Sequence, residues 1–279
     1  MQNRSSDQLT SHYAQGNVLD RIKAGIEKLG KTPASVNAED LNPVDEFHIG
    51  GRQATQEFVD QLQLASTDHV LDVGCGIGGA ARFTAQVYGS RVSGIDLTAE
   101  YIETGNELCS WVGLSDQVKL ECASAIDMPF GEERFDAAYM LHVGMNIEDK
   151  CTLVGEICRV LKPGGRLGIF DVMQVGEGQL TFPVPWASLP QMSAVGTPDE
   201  YRGALENQGF EIVGERNRRQ FAMAFFADLR SRMAGAKGPP PLGLHILMGD
   251  QTAEKINNVA RQITENHIAP IELIAQKRL

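Results

Sequence analysis

Residues 69–79 read His-Val-Leu-Asp-Val-Gly-Cys-Gly-Ile-Gly-Gly, and this stretch decides the fold. The apolar run His69–Val73 predicts a buried parallel strand. Four glycines among the next six residues predict a sharp turn. The helix predicted to follow carries apolar residues at Phe83, Val87 and Tyr88. Glycines let a ligand lie against bare main chain, so strand, turn and helix together indicate a nucleotide site. A plain connection without a ligand would not require the ordering entropy of four glycines.

Two acids near the turn bear on which nucleotide is bound. The turn itself fits G-x-G-x-x-G, the fingerprint of NAD- or FAD-binding proteins. Asp72 lies two residues before the first glycine, where it suits a cationic amine better than a pyrophosphate. Asp96 ends the next predicted strand, 91–96, and can accept from both hydroxyls of a ribose. Since NAD enzymes also place an acid there, an oxidoreductase remains an alternative, which the absorbance of a bound nicotinamide or flavin would decide.

Further motifs follow the glycine turn in a fixed order. They are Asp72-Val-Gly-Cys-Gly, Asp96, Met128-Pro-Phe, Arg134-Phe-Asp and Arg159-Val-Leu-Lys-Pro-Gly-Gly. In order and spacing, residues 61–175 resemble the class I S-adenosylmethionine-dependent methyltransferases. The resemblance implies S-adenosylmethionine as cofactor and S-adenosylhomocysteine as product, but it says little about the methyl acceptor.

Three other motifs narrow the resemblance. Gly50-Gly-Arg, His142-Val-Gly-Met-Asn-Ile and Phe182-Pro-Val-Pro-Trp are most similar to bacterial enzymes grouped with sarcosine/dimethylglycine N-methyltransferases. This likeness implies a small-molecule substrate and N-methylation of an amine or amino acid. O- or C-methylation of a natural product is one alternative. A non-catalytic module that binds S-adenosylmethionine is another.

Strands and helices alternate from residue 69 onward, which predicts an α/β fold with a doubly wound, mostly parallel, seven-stranded sheet. We expect a helical N-terminal cap over residues 1–60 and a Rossmann-like core over 61–217. An inserted helical lid over the acceptor site is expected at 218–266, and the final strand of the core within 267–279. Helix caps are expected at Asn17, Thr98 and Thr197, and residues 33–43 look irregular.

The cofactor residues are expected in and around the glycine turn. They are Arg52, Gln53, Asp72, Gly74, Cys75, Gly76, Gly78, Asp96, Leu97, Ser124, Ala125 and His142. Arg52 and Gln53 are included because related enzymes fold this region over the methionine end of the cofactor; a mere helix connection is the alternative. Leu97 is expected to pack against adenine. Ser124 departs from the family, since many relatives place there an Asp that accepts from the adenine amino group; Asp127 also has a counterpart in many relatives.

His142 is the main catalytic candidate, because it follows the fourth predicted strand at the edge where ligands bind in open parallel sheets. An imidazole titrates near neutrality and can remove a proton from the acceptor. His245 is a second candidate for this role. The residues expected to contact the substrate are His48, Met145, Asn146, Trp186 and His245.

Composition limits the partners. The formal net charge of −11 argues against nucleic-acid backbones, which require a basic face. No apolar run reaches the length of a membrane helix, and the N-terminus lacks the apolar centre of a signal peptide. The five cysteines form no C-x-x-C pair and are expected to be reduced core residues rather than a disulfide set or a metal site. We therefore expect a cytoplasmic monomer or homodimer that acts on a small molecule.

Overall fold

The computed structural model describes residues 12–13, 16–235 and 238–279, so the predicted 1–60 cap lies partly outside the described residues. Within them, seven strands form one sheet. The strands are β1 His69–Val73, β2 Arg91–Asp96, β3 Val118–Cys122, β4 Phe135–Leu141, β5 Leu161–Gln174, β6 Phe210–Asn217 and β7 Ile268–Lys277. Their order is β3-β2-β1-β4-β5-β7-β6. The first five are parallel, and β7 is antiparallel to both β5 and β6. The predicted mostly parallel, seven-stranded α/β sheet is confirmed.

Helices cover the sheet and extend beyond it. They are α1 Val18–Lys28, α2 Ala38–Asp45, α3 Gly51–Val59, α4 Gly79–Tyr88, α5 Ala99–Trp111, α6 Lys150–Val160, α7 Pro198–Asn207, α8 Arg219–Met233, α9 His245–Met248 and α10 Thr252–Thr264. None of the helices described in 16–235 and 238–279 is long and apolar enough to cross a membrane.

The sheet is buried on both faces. One apolar cluster packs β1, β4 and β5 against α6 and α7. A second packs the opposite face against α3, α4 and α5. The strand order reverses between β1 and β4, because β2 and β3 lie on one side and the remaining strands on the other. Ligands of open α/β sheets bind at the carboxyl ends of the strands beside such a reversal.

Two smaller clusters lie outside the sheet. One joins α1 and α2 to α5 and to residues 242–247. The other joins Met145 and Trp186 to apolar residues of α8 and α10, the two longer helices between β6 and β7. Residues that precede β1 and residues that lie between β6 and β7 therefore pack around the carboxyl edge of the sheet.

Several local predictions differ from the structure. Residues 38–45 are helical rather than irregular: a capping box joins Asn37 and Asp40, with N–H···O distances of 3.0 and 2.9 Å. Pro43 suggested a break, but Leu41 and Val44 are fully buried, and this tertiary packing offsets a helix penalty of about 3 kcal/mol for proline. Asn17 makes no side-chain cap and adopts a left-handed φ of 65°.

Other predicted element boundaries and contacts were also compared with the structure. Strand β4 ends at Leu141, directly before His142. The motif Lys162-Pro-Gly-Gly suited a turn ahead of a strand from Arg166, but β5 already begins at Leu161, and its pairing with β4 is irregular there. The capping box at Thr197 is confirmed. All five cysteines are free, but Cys122 and Cys151 are exposed, so the expectation of five core residues was wrong.

Candidate functional site

The glycine turn lies at the carboxyl end of β1. The N–H groups of Gly74 and Cys75 both donate to the Ile95 carbonyl of β2, at 2.8 and 2.9 Å. Gly74, Gly76 and Gly78 have φ values of 72°, 54° and 78°, in the region that favours glycine. A Cβ on Gly74 would lie 2.4 Å from the Val143 side chain, whereas a Cβ on Gly76 would meet nothing within 4 Å. Gly74 thus permits close packing, and Gly76 borders open space.

Asp96 stands at the end of β2, beside Gly76. Its carboxylate accepts the N–H of Gly76 at 3.0 Å and that of Thr98 at 2.8 Å. The sequence had suggested Thr98 as the cap of α5, but its side chain makes no cap hydrogen bond. Burial raises the pKa of Asp96. Hydrogen bonds from Thr98, Gly76 and Leu97 oppose this shift, and the carboxylate can also accept from the hydroxyls of a ligand that lies against Gly76.

Asp72 is only 2% exposed and lies beneath the turn in β1. Its carboxylate accepts the hydroxyl of Tyr139 at 3.3 Å. Burial, with Asp96 as a smaller contribution, raises the pKa of Asp72 to about 8, while the Tyr139 hydrogen bond opposes the shift. A cationic group close by would favour ionisation of this acid.

The turn after β3 is tied to β2. The Ala123 N–H donates to the Asp96 carbonyl at 3.0 Å, which holds Ser124, Ala125 and Leu97 at the same edge of the sheet. The Ser124 hydroxyl oxygen accepts the N–H of Ile126 at 3.3 Å. Its O–H hydrogen stays available as a donor, and one acceptor position remains. Asp127 is exposed.

Arg52 and Gln53 lie at the start of α3 and have protein partners. The Arg52 side chain pairs with Glu46, Nε to Oε1 at 2.8 Å, and donates to Asn42. Its guanidinium lies 4.7 Å from the ring centroid of Phe83. Gln53 is exposed and donates to the Glu57 carboxylate of the same helix. The preceding Gly51, with φ of 57°, has nothing within 4 Å of a built Cβ.

His142 follows β4 and has a φ of 56°. One ring nitrogen, Nδ1, lies 3.1 Å from the Phe170 carbonyl, and the other, Nε2, lies 3.5 Å from the Ile49 N–H. These contacts favour the tautomer in which Nδ1 carries the hydrogen. Burial, with His48 as a smaller contribution, lowers the pKa of His142 well below 6.5, so the imidazole is neutral at pH 7.

The expected substrate residues fall into two groups. His48 is held by Glu46 and Thr55, with Nε2 at 2.8 and 2.9 Å from their oxygens. Its ring centroid lies 5.9 Å from that of His142. Asn146 donates to the Trp186 carbonyl at 2.7 Å, which joins the loop after β4 to residues 182–195. Met145 and Trp186 are both buried in the cluster formed with α8 and α10.

His245 lies apart from these residues. It begins α9, whose neighbouring residues Ile246 and Leu247 pack with α1. The His245 carbonyl accepts from Arg21 at 3.0 Å, and the pKa of its imidazole is lowered by burial and by Arg21 and Lys28 of α1. These contacts do not bring it to His142.

Comparison with known proteins agrees with this geometry. The profile of the family described as "Methyltransferase domain" matches residues 71–169. The chain is 33% identical to "O-methyltransferase resE" of Aspergillus sclerotiorum over 178 residues, which cover 63% of this chain and 67% of that protein. The chain belongs to the class I S-adenosylmethionine-dependent methyltransferase family.

Two further matches have shorter coverage or lower identity. "Methyltransferase GfsG" of Streptomyces halstedii is 30% identical over 177 residues, 62% of this chain and 64% of that protein. The alignments thus span about two thirds of the curated relatives. Geranyl diphosphate C-methyltransferase of Streptomyces coelicolor A3(2) shares the fold, with a TM-score of 0.66 at 20% identity, over 81% of this chain and 78% of its own.

The residues of this chain fit S-adenosylmethionine, the family's cofactor. Gly76 and Gly51 both have positive φ and open space where a Cβ would lie, so two stretches of bare backbone border the carboxyl edge. The Asp96 carboxylate lies beside Gly76, and the buried acid Asp72 lies below the turn. A nucleoside with a ribose diol and a cationic tail matches this set of groups in polarity.

Sequence reasoning missed two residues of the site. Tyr13 donates its hydroxyl to the Asn146 amide oxygen at 2.9 Å and packs edge-on against Phe47 and Tyr101. No motif surrounds Tyr13, so the sequence held no signal for it. Asp171 is fully buried at the end of β5 and binds the loop after β4. Here a signal was present: an acid within the apolar run Ile-Phe-Asp-Val-Met.

Proposed function

We propose that this protein transfers the methyl group of S-adenosylmethionine to a small molecule. The observation that carries the proposal is the open backbone at Gly76 beside the carboxylate of Asp96, in a chain of the methyltransferase family. An ordinary strand–helix connection would not need a positive-φ glycine that faces open space next to a half-buried acid.

In this proposal each residue around the glycine turn has one role. Asp96 accepts the two ribose hydroxyls, and bonds to an ionised acceptor contribute about 1.5–3 kcal/mol each. Gly76 lets the nucleoside lie against the main chain, and Asp72 complements the amine end through the turn. Leu97, Ser124 and Ala125 border adenine. The bound cofactor supplies a methyl group on a sulfonium, which is already a strong leaving group, so the protein mainly aligns the acceptor and excludes water.

The methyl acceptor is less well defined than the cofactor. The sequence favoured N-methylation of an amine or amino acid, and a substrate carboxylate would require an arginine such as Arg52. Arg52 is instead engaged by Glu46 and Asn42. Met145 packs in the apolar cluster with α8 and α10, beside Trp186, Phe226 and Val259. We therefore favour an acceptor with an apolar body, which an O- or C-methylated natural product would also satisfy.

We also propose that residues 218–266 act as the lid over this acceptor. Helices α8 and α10 leave and rejoin the sheet between β6 and β7 and pack on the loop that carries Met145. Asn258 of α10 donates to the Pro183 carbonyl at 2.9 Å, which connects the lid to residues 182–195. Such a cover would exclude water during transfer.

His142 remains the proposed base for an acceptor that must lose a proton. It is neutral at pH 7, and among the described residues the Nε2 lone pair is engaged by the long contact to Ile49 at 3.5 Å alone. A small movement would free that lone pair. A tertiary amine needs no base, and His142 would then act by position alone.

Calorimetry with S-adenosylhomocysteine tests the cofactor site. Asp96→Asn should weaken binding by about 10-fold or more, because the bonds to an ionised acceptor are lost. Asp116→Asn is the control, since Asp116 is an exposed acid ahead of β3. Equal affinity in wild type and a folded Asp96→Asn variant would reject the assignment, and binding of NADH instead would favour the oxidoreductase. Screening amines, phenols and carboxylates for S-adenosylhomocysteine release would then identify the acceptor class.

A further inference from the structure

Helix α10 lays one row of polar side chains along the segment between β5 and α7. Gln262 donates to the Thr181 carbonyl at 3.1 Å and accepts the Thr181 N–H at 2.9 Å. One turn earlier in the helix, Asn258 donates to the Pro183 carbonyl at 2.9 Å. Residues three or four positions apart lie on the same helix face, so Lys255 is the next member of this row. The register brings Lys255 to the part of the segment that follows Pro183.

Lys255 carries an ammonium that the chain compensates poorly. The residue is only 4% exposed. Within the part of the chain that the structure describes, its ammonium makes one hydrogen bond, to the Met248 carbonyl at 3.0 Å. Burial lowers the pKa of Lys255, and no acid among the described residues opposes that shift. An ammonium has three N–H donors, so two of them are available to a ligand.

Lys150 of α6 shows how the same fold compensates another buried lysine. Its ammonium donates to two backbone carbonyls, those of Ile147 and Ala194. Burial lowers the pKa of Lys150 too, but the charges of Asp171 and of two nearby glutamates oppose the shift. A buried charge without such compensation makes the folded state less stable. The uncompensated ammonium of Lys255 is therefore better explained by a ligand than by the stability of the fold.

The surroundings of Lys255 connect it to the apolar cluster that we expect to face the acceptor. Burial and, to a smaller extent, the charge of Lys255 lower the pKa of His12, while the contact with the Pro185 carbonyl opposes the shift. His12 Nε2 lies 3.1 Å from that carbonyl oxygen, directly before Trp186 in the chain. Val259, one helical turn after Lys255, packs in the same cluster as Trp186. A buried cation therefore lies at the end of an apolar surface.

We propose that the ammonium of Lys255 binds an anionic group of the methyl acceptor, a carboxylate or a phosphate, beside the apolar cluster of Met145 and Trp186. Either anion accepts charge-assisted hydrogen bonds from an ammonium and would offset the buried positive charge. The inference rests on the proposed function, since it assigns a chemical class to the acceptor of that reaction. Lys255 thereby takes the role that the sequence suggested for Arg52, whose guanidinium pairs with Glu46.

Calorimetry on the full chain in the presence of S-adenosylhomocysteine tests the anion site. The probes are octanoate, octyl phosphate and 1-octanol, which share one alkyl chain and differ in the head group. At least one of the two anions should bind the wild type about 10- to 100-fold more tightly than 1-octanol, because hydrogen bonds between charged groups are among the strongest. The anion that binds more tightly identifies the head group as a carboxylate or a phosphate.

Two lysine variants separate the charge of Lys255 from its packing. Lys255→Met removes the charge and keeps an unbranched side chain, and Lys119→Met, on an exposed position of β3, is the matched control. The preference for the anions should disappear in Lys255→Met and persist in Lys119→Met, while 1-octanol and S-adenosylhomocysteine bind both variants as they bind the wild type. Because Lys255→Met removes an unpaired buried charge, its Tm without ligand should be no lower than that of Lys119→Met.

Three results would each overturn the proposal. In the first, which needs no variant, neither anion binds the wild type more tightly than 1-octanol does. In the second, Lys255→Met keeps the preference for the anions. In the third, Lys255→Met has a lower Tm than Lys119→Met or does not fold, which would assign the ammonium to the stability of the fold. Absent binding of S-adenosylhomocysteine to the wild type would reject the proposed function, whereas normal binding of it without a preference for the anions would reject this inference alone.

Discussion

Replacing Gly76 with alanine places a single methyl group where we expect the nucleoside to lie. Gly76 has φ of 54° and nothing within 4 Å of a built Cβ, so the change meets no protein atom. Gly113, in the loop after α5, offers a matched control. It has φ of 71° and also has nothing within 4 Å of a built Cβ. Both substitutions therefore carry the same kind of backbone strain, and only one lies at the proposed site.

The loss of stability and the loss of cofactor affinity can be separated by their magnitudes. A left-handed alanine costs about 1–2 kcal/mol, partly offset by the reduced entropy of the unfolded chain. We expect both variants to lose about 1 kcal/mol, or about 2–4 °C in Tm. At Gly76 the methyl group would also overpack the contact with the bound nucleoside, at about 1–3 kcal/mol. Binding of S-adenosylhomocysteine should therefore weaken by about 5- to 150-fold in Gly76→Ala and remain unchanged in Gly113→Ala.

Thermal unfolding and calorimetry on the two variants and the wild type provide the measurement. The expected pattern is an equal loss of Tm with an unequal loss of affinity. If Gly76→Ala binds S-adenosylhomocysteine as tightly as Gly113→Ala does, the nucleoside does not lie against this turn. If Gly76→Ala alone loses stability, the space beside it is not open in solution.

The other predictions concern the proposed base, His142, and a buried ion pair between α2 and α4. If His142 removes a proton, His142→Ala should lower kcat by ~10²–10⁴-fold with little change in cofactor affinity. Because burial lowers the pKa of His142 well below 6.5, the rate should be flat near pH 7, and its rise with pH should lie in the acid range. Near-normal single-turnover rates in this variant would exclude the role. Arg82 and Asp45 form an ion pair with both side chains 1% exposed. Asp45→Asn should cost about 3–5 kcal/mol in urea unfolding, because it leaves a buried guanidinium unpaired. The paired change Asp45→Leu with Arg82→Met should recover most of that loss, and a single variant as stable as wild type would contradict the argument.

Some features of the cofactor site were readable from the chain alone. The glycine turn, Asp72 and Asp96 lie where strand and helix periodicity put them, since a parallel sheet brings the ends of β1 and β2 to one edge. Arg52 was proposed for the cofactor from its place beside Gly50 and Gly51, yet its guanidinium pairs with Glu46. Side-chain direction depends on neighbours that the local sequence does not specify.

The sequence by itself determined the succession of the strands, the glycine turn and the acids beside it. These features depend on apolar periodicity and turn chemistry within about ten residues, which act before any tertiary contact forms. Only the tertiary structure decided that His142 is neutral, that Tyr13 reaches Asn146 and that Asp171 holds the loop after β4. These contacts join residues that lie far apart in the chain, and burial, which shifts the pKa values of His142 and Asp171, arises only when the layers pack.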